Sequence, residues 1–371
     1  MKRRLSGLGS TVFLLFGFFL LLLLLTNSQI AMDGIRQGLS LCTETLFPSL
    51  FPFLVLSELL VARRAGEVLG KVFFHPVSAL FGVSGSGATA LLLGMLCGYP
   101  VGTSTAVALY RQGELSKEEV KRLILFANNP SSGFLIGAVG KALFGNSGAG
   151  LALWLIAWIS AGLIGIFLRI VLGKVPEIAK TPTNGIQKPP SVSDFTGSVT
   201  RGLYALLQVF AFVLFFTCVA SCLTPILSIL QLPVGVNVAL HGLLEITSGI
   251  SCAVTMLSPA DAFRFSAFFV GFAGLSVCLQ LFSIAEDLHL RLSPYLLAKV
   301  AQGGLCLLLA DLYLRIFQPH FELTECITTF SQNVIQQRQS ILVLLFLPLA
   351  VLLISAFQKL ASLKKEKRLL R

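Results

Sequence analysis

At 371 residues, with 55% hydrophobic and only 12% charged residues and a mean hydropathy of +0.85, the chain is too apolar for a soluble enzyme, a disordered scaffold or a secreted disulfide module; soluble domains are about a quarter charged. Lys+Arg number 28 against 17 Asp+Glu, yet the basic residues sit between apolar runs, where they set membrane orientation rather than bind nucleic acid. The eight cysteines lie mostly inside apolar stretches without a zinc-like ligand set, so they read as small buried hydrophobes, and neither a metal nor a cofactor is expected.

A spanning helix needs about 20 mostly apolar residues. The first candidate, 11–26, follows Met1-Lys2-Arg3-Arg4, and its flank Thr26–Ile30 offers no small-x-small cleavage site. Residues 1–30 therefore read as an uncleaved anchor. Further spans are expected at 38–61, 120–140, 148–170, 202–225, 264–286, 294–317 and 340–358. Two other apolar regions, 84–110 and 234–258, are broken by Gly or Pro near their middles. The expected fold is an all-α polytopic membrane protein, with about eight transmembrane helices plus two re-entrant hairpins in inverted repeats. The hydrophilic stretch 173–199 reads as a flexible cytoplasmic linker, and 319–371 as an external loop, a last span and a basic cytoplasmic tail.

With a cytoplasmic N-terminus and neither hairpin crossing, most Lys and Arg fall on the cytoplasmic side. Only Arg36, Lys141, Arg264, Arg315 and Arg338 are external, and Lys299 is intramembrane. Were 84–110 to cross once, Arg63/Arg64 and the Arg111–Arg122 cluster would lie on opposite sides. The linker divides the chain into similar halves, 31–172 and 200–318. Gly34-Ile35-Arg36-Gln37-Gly38-Leu39 matches Ser198-Val199-Thr200-Arg201-Gly202-Leu203, and Gly94-Met95-Leu96 falls opposite Gly242-Leu243-Leu244. Each half reads span, broken hairpin, span, span, and the charge pattern inverts one against the other. Inverted repeats with interrupted segments point to a secondary transporter with a midplane site.

The arm 84–97 is about 21 Å long as helix, too short for a hydrocarbon core of about 30 Å. Pro100 disfavours helix at Tyr99, and Gly98 and Gly102 allow a tight turn. The turn exposes backbone groups that must face protein, water or substrate, and the N–H groups and hydroxyls from Gly102 and Thr103 onward suit a carboxylate. At mid-membrane depth, Asn128-Asn129-Pro130-Ser131-Ser132 interrupts the next span, and such polar residues line a site or bond internally. In the second hairpin, Glu245 is the deepest carboxylate and a candidate proton carrier, followed by Thr247 and Ser248. The equivalent of the Asn-Asn-Pro break is the less polar Gly271–Ser276. Lys299 is expected to snorkel to the cytoplasmic edge, while Glu44 and Glu58 are placed to face the bundle.

Phe47-Pro48-Ser49-Leu50-Phe51-Pro52-Phe53, Gly98-Tyr99-Pro100-Val101-Gly102 and Phe126-Ala127-Asn128-Asn129-Pro130-Ser131 resemble the YlbJ family of sporulation integral membrane proteins, also called stage V sporulation protein V. The resemblance covers roughly 30–320. It implies a nucleoside-recognition (Gate) domain similar to that of concentrative nucleoside transporters, although the Gly-Gln-Thr-Glu tip of those carriers is missing. It further implies a role in endospore formation, moving dipicolinic acid from the mother cell across the outer forespore membrane; the distribution of basic residues, for its part, puts both chain termini on the cytoplasmic side. The site it suggests is Gly98, Tyr99, Pro100, Gly102, Thr103, Asn128, Asn129, Ser131 and Ser132. Thr247 and Ser248 join it from the residue-level reading, with Glu245 for proton or ion coupling.

The expected partners are a small organic anion and the lipid bilayer, not nucleic acid, with homo-oligomerisation left open. A nucleoside carrier and a structural or partner-recruiting membrane protein are the alternatives. An intramembrane serine protease is a remote one, suggested by Gly82-Val83-Ser84-Gly85, but serine catalysis needs a His base within reach. No catalytic residue is expected.

Overall fold

The computed structural model describes residues 14–15, 17–62, 77–175, 192–231 and 233–317, and among these every regular element is a helix. In chain order they are α1 (Gly17–Thr26), α2 (Ser28–Ser40) and, after a π-helical turn at Leu41–Leu46, α3 (Phe47–Ala62). Then come α4 (Gly85–Cys97), α5 (Val101–Arg111), α6 (Lys117–Phe126), the π-helical α7 (Gly133–Leu143) and α8 (Ser147–Leu172). The second half contains α9 (Val192–Ile229), α10 (Val234–Leu244), α11 (Ile246–Met256), α12 (Pro259–Phe272), α13 (Gly274–Ile284) and α14 (Leu292–Phe317).

The chain is an all-helical, polytopic membrane protein. Four stretches among the described residues are long and apolar enough to cross singly: Ser147–Leu172, Asp194–Leu227, Pro259–Ile284 and Leu292–Phe317. These are the expected spans 148–170, 202–225, 264–286 and 294–317, the third of them interrupted at Ala273, whose φ of 73° is left-handed. The expected span 120–140 is two helices, because the chain leaves the helix after Phe126 and resumes it at Gly133, around Pro130. The span 38–61 carries the π-helical turn and an internal Pro52. An angle of 98° separates α1 from the helix that starts at Ser28. The expected span 340–358, the tail and most of the linker lie outside the described residues.

Local signals set the helix starts. Ser84, Ser116, Asn146 and Ser258 each accept a backbone N–H of the first turn, as N-caps do. Glu118 and Glu119 follow Ser116, and Pro259 opens α12, both favourable at the positive end of a helix.

The chain divides into two compact units. Among the described residues, the first comprises those up to Gln37 together with 217–231. In it Phe19 and Leu23 pack on Cys218, Cys222 and Ile226. The second comprises the described residues of 38–216 and 233–317 and contains both hairpins.

Two ends of the second unit are defined by polar contacts. At one end Glu119 accepts the Ser84 N–H, Ser86 donates to Glu114, Arg122 donates to the Gly173 carbonyl and Arg111 pairs with Asp287. The roots of both arms of the hairpin α4–α5 therefore lie together, with the start of α6, the end of α8 and the α13–α14 connection. At the other end Arg264 pairs with Asp261 and Asp311, and Arg315 with Asp311. Phe263 packs there on Phe144, before α8. The hairpin α10–α11 is rooted at this end, through the Gly235 contact with Phe265 and the short link from Met256 to Pro259. The hairpin helices are about 17–20 Å long, against about 39 Å for α8 and α14. The two hairpins thus enter from opposite ends and stop midway.

Candidate functional site

Each hairpin tip rests on a helix break. The tip of α4–α5 runs through Gly98, Tyr99 and Pro100, with a cis Tyr99–Pro100 peptide. Gly98 has φ +85°, and a Cβ there would stand 2.5 Å from the Ser131 nitrogen, so both backbone sign and close approach demand glycine. The Tyr99 N–H donates to the Asn129 carbonyl at 2.8 Å. The tip of α10–α11 turns at Glu245, beside the second break, where Gly274 lies close to the Leu244 carbonyl and the Ile246 nitrogen.

At both tips N–H groups that could bind an anion, those of Thr103, Thr247 and Ser248, are already engaged. Asn128 Oδ1 accepts the Thr103 N–H at 2.9 Å and so caps α5 from another helix. The Glu245 carboxylate caps α11 itself: Oε1 accepts from Thr247 N (3.0 Å) and Oε2 from Ser248 N (2.7 Å). Asn128 and Asn129 are fully buried and bonded within the protein, through Asn128 Nδ2 to the Ile124 carbonyl and Asn129 Nδ2 to the Phe126 carbonyl. Two unpaired amides at this depth would be costly. These bonds remove that cost and hold the break open.

The tips and the first break meet at one cavity of about 30 Å3, lined by Tyr99, Pro130, Ser131, Glu245, Thr247 and Gln280 together with apolar side chains from α3, α9 and α13. Of the residues singled out from sequence, Tyr99, Ser131, Glu245 and Thr247 therefore share a space. Gly98, Pro100, Gly102, Thr103, Asn128, Asn129, Ser132 and Ser248 do not line it: the first six build the tip and its seat, Ser132 starts α7, and Ser248 holds Glu245. The Tyr99 hydroxyl and Gln280 Oε1 are buried with no hydrogen-bond partner. Such orphans at a cavity wall mark a place for water or ligand. The volume admits about one water.

Two residues that the sequence reading missed or misplaced complete the centre. Lys299 does not snorkel. It is 1% exposed and donates to the Asn128 carbonyl (2.7 Å) and to Gln302 Oε1 (2.8 Å), and Gln302 Nε2 donates to Asn129 Oδ1 (2.6 Å). The carbonyl that the break frees is what draws it inward. Gln302, one turn along α14, was legible only as a polar residue in an apolar helix. Glu44 is exposed, and Glu58 pairs with Arg201 at 2.9 Å. Ser84 accepts the Gly87 N–H at 3.1 Å as a helix cap.

A larger cleft, of about 650 Å3, opens at the end where α4–α5 is rooted. Lys121, Arg122, Lys174, His289 and Arg291 line it against Glu118. At its wall is Tyr295, whose buried hydroxyl also lacks a partner. Tyr295 belongs to an apolar cluster against which Tyr99 also packs. The Arg111 guanidinium beside Asp287, at the same end, holds that carboxyl below the usual carboxylate range.

No protein-family model matches the chain, and no solved structure does. Among curated proteins, the chain is 26% identical over 331 residues, covering 81% of each sequence, to the sporulation integral membrane protein YlbJ of Bacillus subtilis (strain 168). The similarity runs through both hairpins and not one motif alone.

Proposed function

From the chain's similarity to the sporulation integral membrane protein YlbJ, we propose that it belongs to that family and is a carrier of a small organic anion, dipicolinic acid, across the outer forespore membrane during sporulation. The observation that carries the anion choice is the cleft of about 650 Å3 with five basic side chains against one acid. Its volume suits a flat aromatic dicarboxylate, and its charge raises the local anion concentration. In the proposed orientation, with cytoplasmic termini, the cleft faces the mother cell, the donor side.

The two halves act as one unit repeated in opposite orientation. The hairpin tips form the barrier between the basic cleft and the far side. Transport requires the tips to part, because the central cavity holds about one water. Tyr99 and Tyr295 supply apolar faces for the ring and unpaired hydroxyls for a carboxylate. Glu245, a carboxylate on the cavity wall, repels a second anion. Its neutralisation by a proton is the natural coupling step, and a freed pair of N–H groups on Thr247 and Ser248 would then be open to the substrate. No covalent step and no cofactor enter this scheme.

The test is uptake of labelled dipicolinate and of uridine into proteoliposomes of the full chain. Saturable dipicolinate uptake is expected, with KM raised several-fold in Lys174→Ala/Arg291→Ala. Glu245→Gln should lose proton-driven uptake while still inserting into the membrane. Saturable uridine uptake without dipicolinate uptake would replace the anion by a nucleoside. Sporulation function retained after joint replacement of Asn128, Asn129 and Glu245 would make the protein structural.

A further inference from the structure

We propose that the Lys299 ammonium is a tethered cation, filling the position at the first helix break that a bound monovalent metal ion would otherwise take. A helix that stops in the middle of a membrane leaves its last carbonyls without donors, at the negative end of its dipole. In carriers with broken helices, such carbonyls coordinate the coupling ion. At this break four carbonyls meet donors: Leu123 O takes the Ala127 N–H, Ile124 O takes Asn128 Nδ2, Phe126 O takes Asn129 Nδ2 and Asn129 O takes the Tyr99 N–H. The Asn128 carbonyl takes no N–H from the break itself, and Lys299 Nζ sits on it at 2.7 Å.

The remaining shell of the ammonium is what a small cation would choose. Its second acceptor is a neutral amide oxygen, Gln302 Oε1 at 2.8 Å, and Gln302 is held in turn by Asn129 Oδ1 at 2.6 Å. Lys299 pairs with no carboxylate among the described residues. An ion pair is therefore not what holds it inside. Lys299 lies about 10 Å along α14 from Leu292, within reach of the membrane surface for a snorkelling side chain. Burial is thus a cost that the break must offset, and the two neutral oxygens of Asn128 and Gln302 beside a helix C-terminus offset part of it for a monovalent cation. The protein carries the charge covalently, so this break needs no metal ion, and transport through it is independent of sodium.

The experiment is thermal unfolding of the purified full chain in sodium, potassium or choline chloride at equal ionic strength. It uses no substrate, so its outcome stands apart from that of the uptake assay. Wild type and Lys299→Arg, which keeps the charge, should melt at the same temperature in all three salts. Lys299→Met, which keeps the length and removes the charge, should melt several degrees lower in choline and recover several degrees in sodium or potassium. If it folds only when sodium or potassium is present during solubilisation, the proposal stands. A wild type stabilised by sodium over choline overturns it. So does a Lys299→Met protein that behaves alike in all three salts or folds in none of them.

Discussion

The tip of α4–α5 is held by residues far away in sequence, whereas the tip of α10–α11 is held by its own side chain. At the first, Asn128 caps α5 from across the bundle, Asn129 receives the Tyr99 N–H, and Lys299 and Gln302 brace both asparagines from α14. At the second, Glu245 folds back on Thr247 and Ser248. Both arrangements satisfy N–H groups that lipid would leave unpaired. The first does so with neutral groups that cannot leave without disturbing three helices. The second uses one titratable group that can let go locally. The comparison assigns the rigid role to the first hairpin and the responsive role to the second.

Removing the local cap should have the largest effect. Glu245→Ala strands two half-buried N–H groups, each at a cost of up to about 1–3 kcal/mol. Hydrogen exchange should rise at the Thr247 and Ser248 amides and stay unchanged at Thr103. Glu245→Gln keeps one acceptor and should recover roughly half of the lost stability in thermal unfolding. Equal exchange at both tips in Glu245→Ala would mean that the second tip is no more autonomous than the first.

Close approach distinguishes the hairpins next. A Cβ on Gly94 would run into the Ala127 carbonyl and stand 2.7 Å from Gly102 Cα, all backbone. A Cβ on Gly242 would instead meet the buried Phe269 ring, a side chain rather than backbone. Overpacking costs about 1–3 kcal/mol. Gly94→Ala should fall at the upper end of that range and Gly242→Ala at the lower, as read from melting temperatures. The reverse order would show that the second hairpin, not the first, is the immovable one.

How far these differences were legible follows the same line. The hairpins at 84–110 and 234–258 and the break at Asn128–Ser132 could be read from residue types, because Gly, Pro and Asn inside apolar runs have few other uses. The interruption at Ala273 was weaker, since a left-handed alanine leaves no compositional trace. The roles of Asn128 and Lys299 could not be read. An apolar window records that a polar residue is present, not whether its partner stands a turn away or on a helix 171 residues on. Snorkelling was the default for a lysine near a helix end, and only the freed Asn128 carbonyl reverses it.

The tertiary cap should have a smaller effect than loss of the Glu245 cap, which strands two N–H groups instead of one. Asn128→Ala leaves the Thr103 N–H without its acceptor, about 1–3 kcal/mol with partial relaxation by water. Exchange should rise at Thr103 and at Tyr99, with Thr247 and Ser248 untouched. Asn128→Asp keeps an acceptor for Thr103 and should stay closer to wild type.

The smallest effect lies at the root of the first hairpin. Arg111, the last residue of α5, pairs at 3.1 Å with Asp287 in the α13–α14 connection, and that bond holds the Asp287 carboxyl below its ordinary range. A depressed folded-state value favours the ionised form in the folded protein, so the pair contributes above the ordinary Asp value of about 4. That contribution is lost as pH falls through the lower folded value. Both side chains are about half exposed, so salt and water screen the pair and the gain is slight. Thermal unfolding at low salt should show Asp287→Asn slightly below wild type at neutral pH and merging with it toward pH 3. No merging, or a difference that high salt fails to reduce, would mean that the root of the hairpin is held by packing alone.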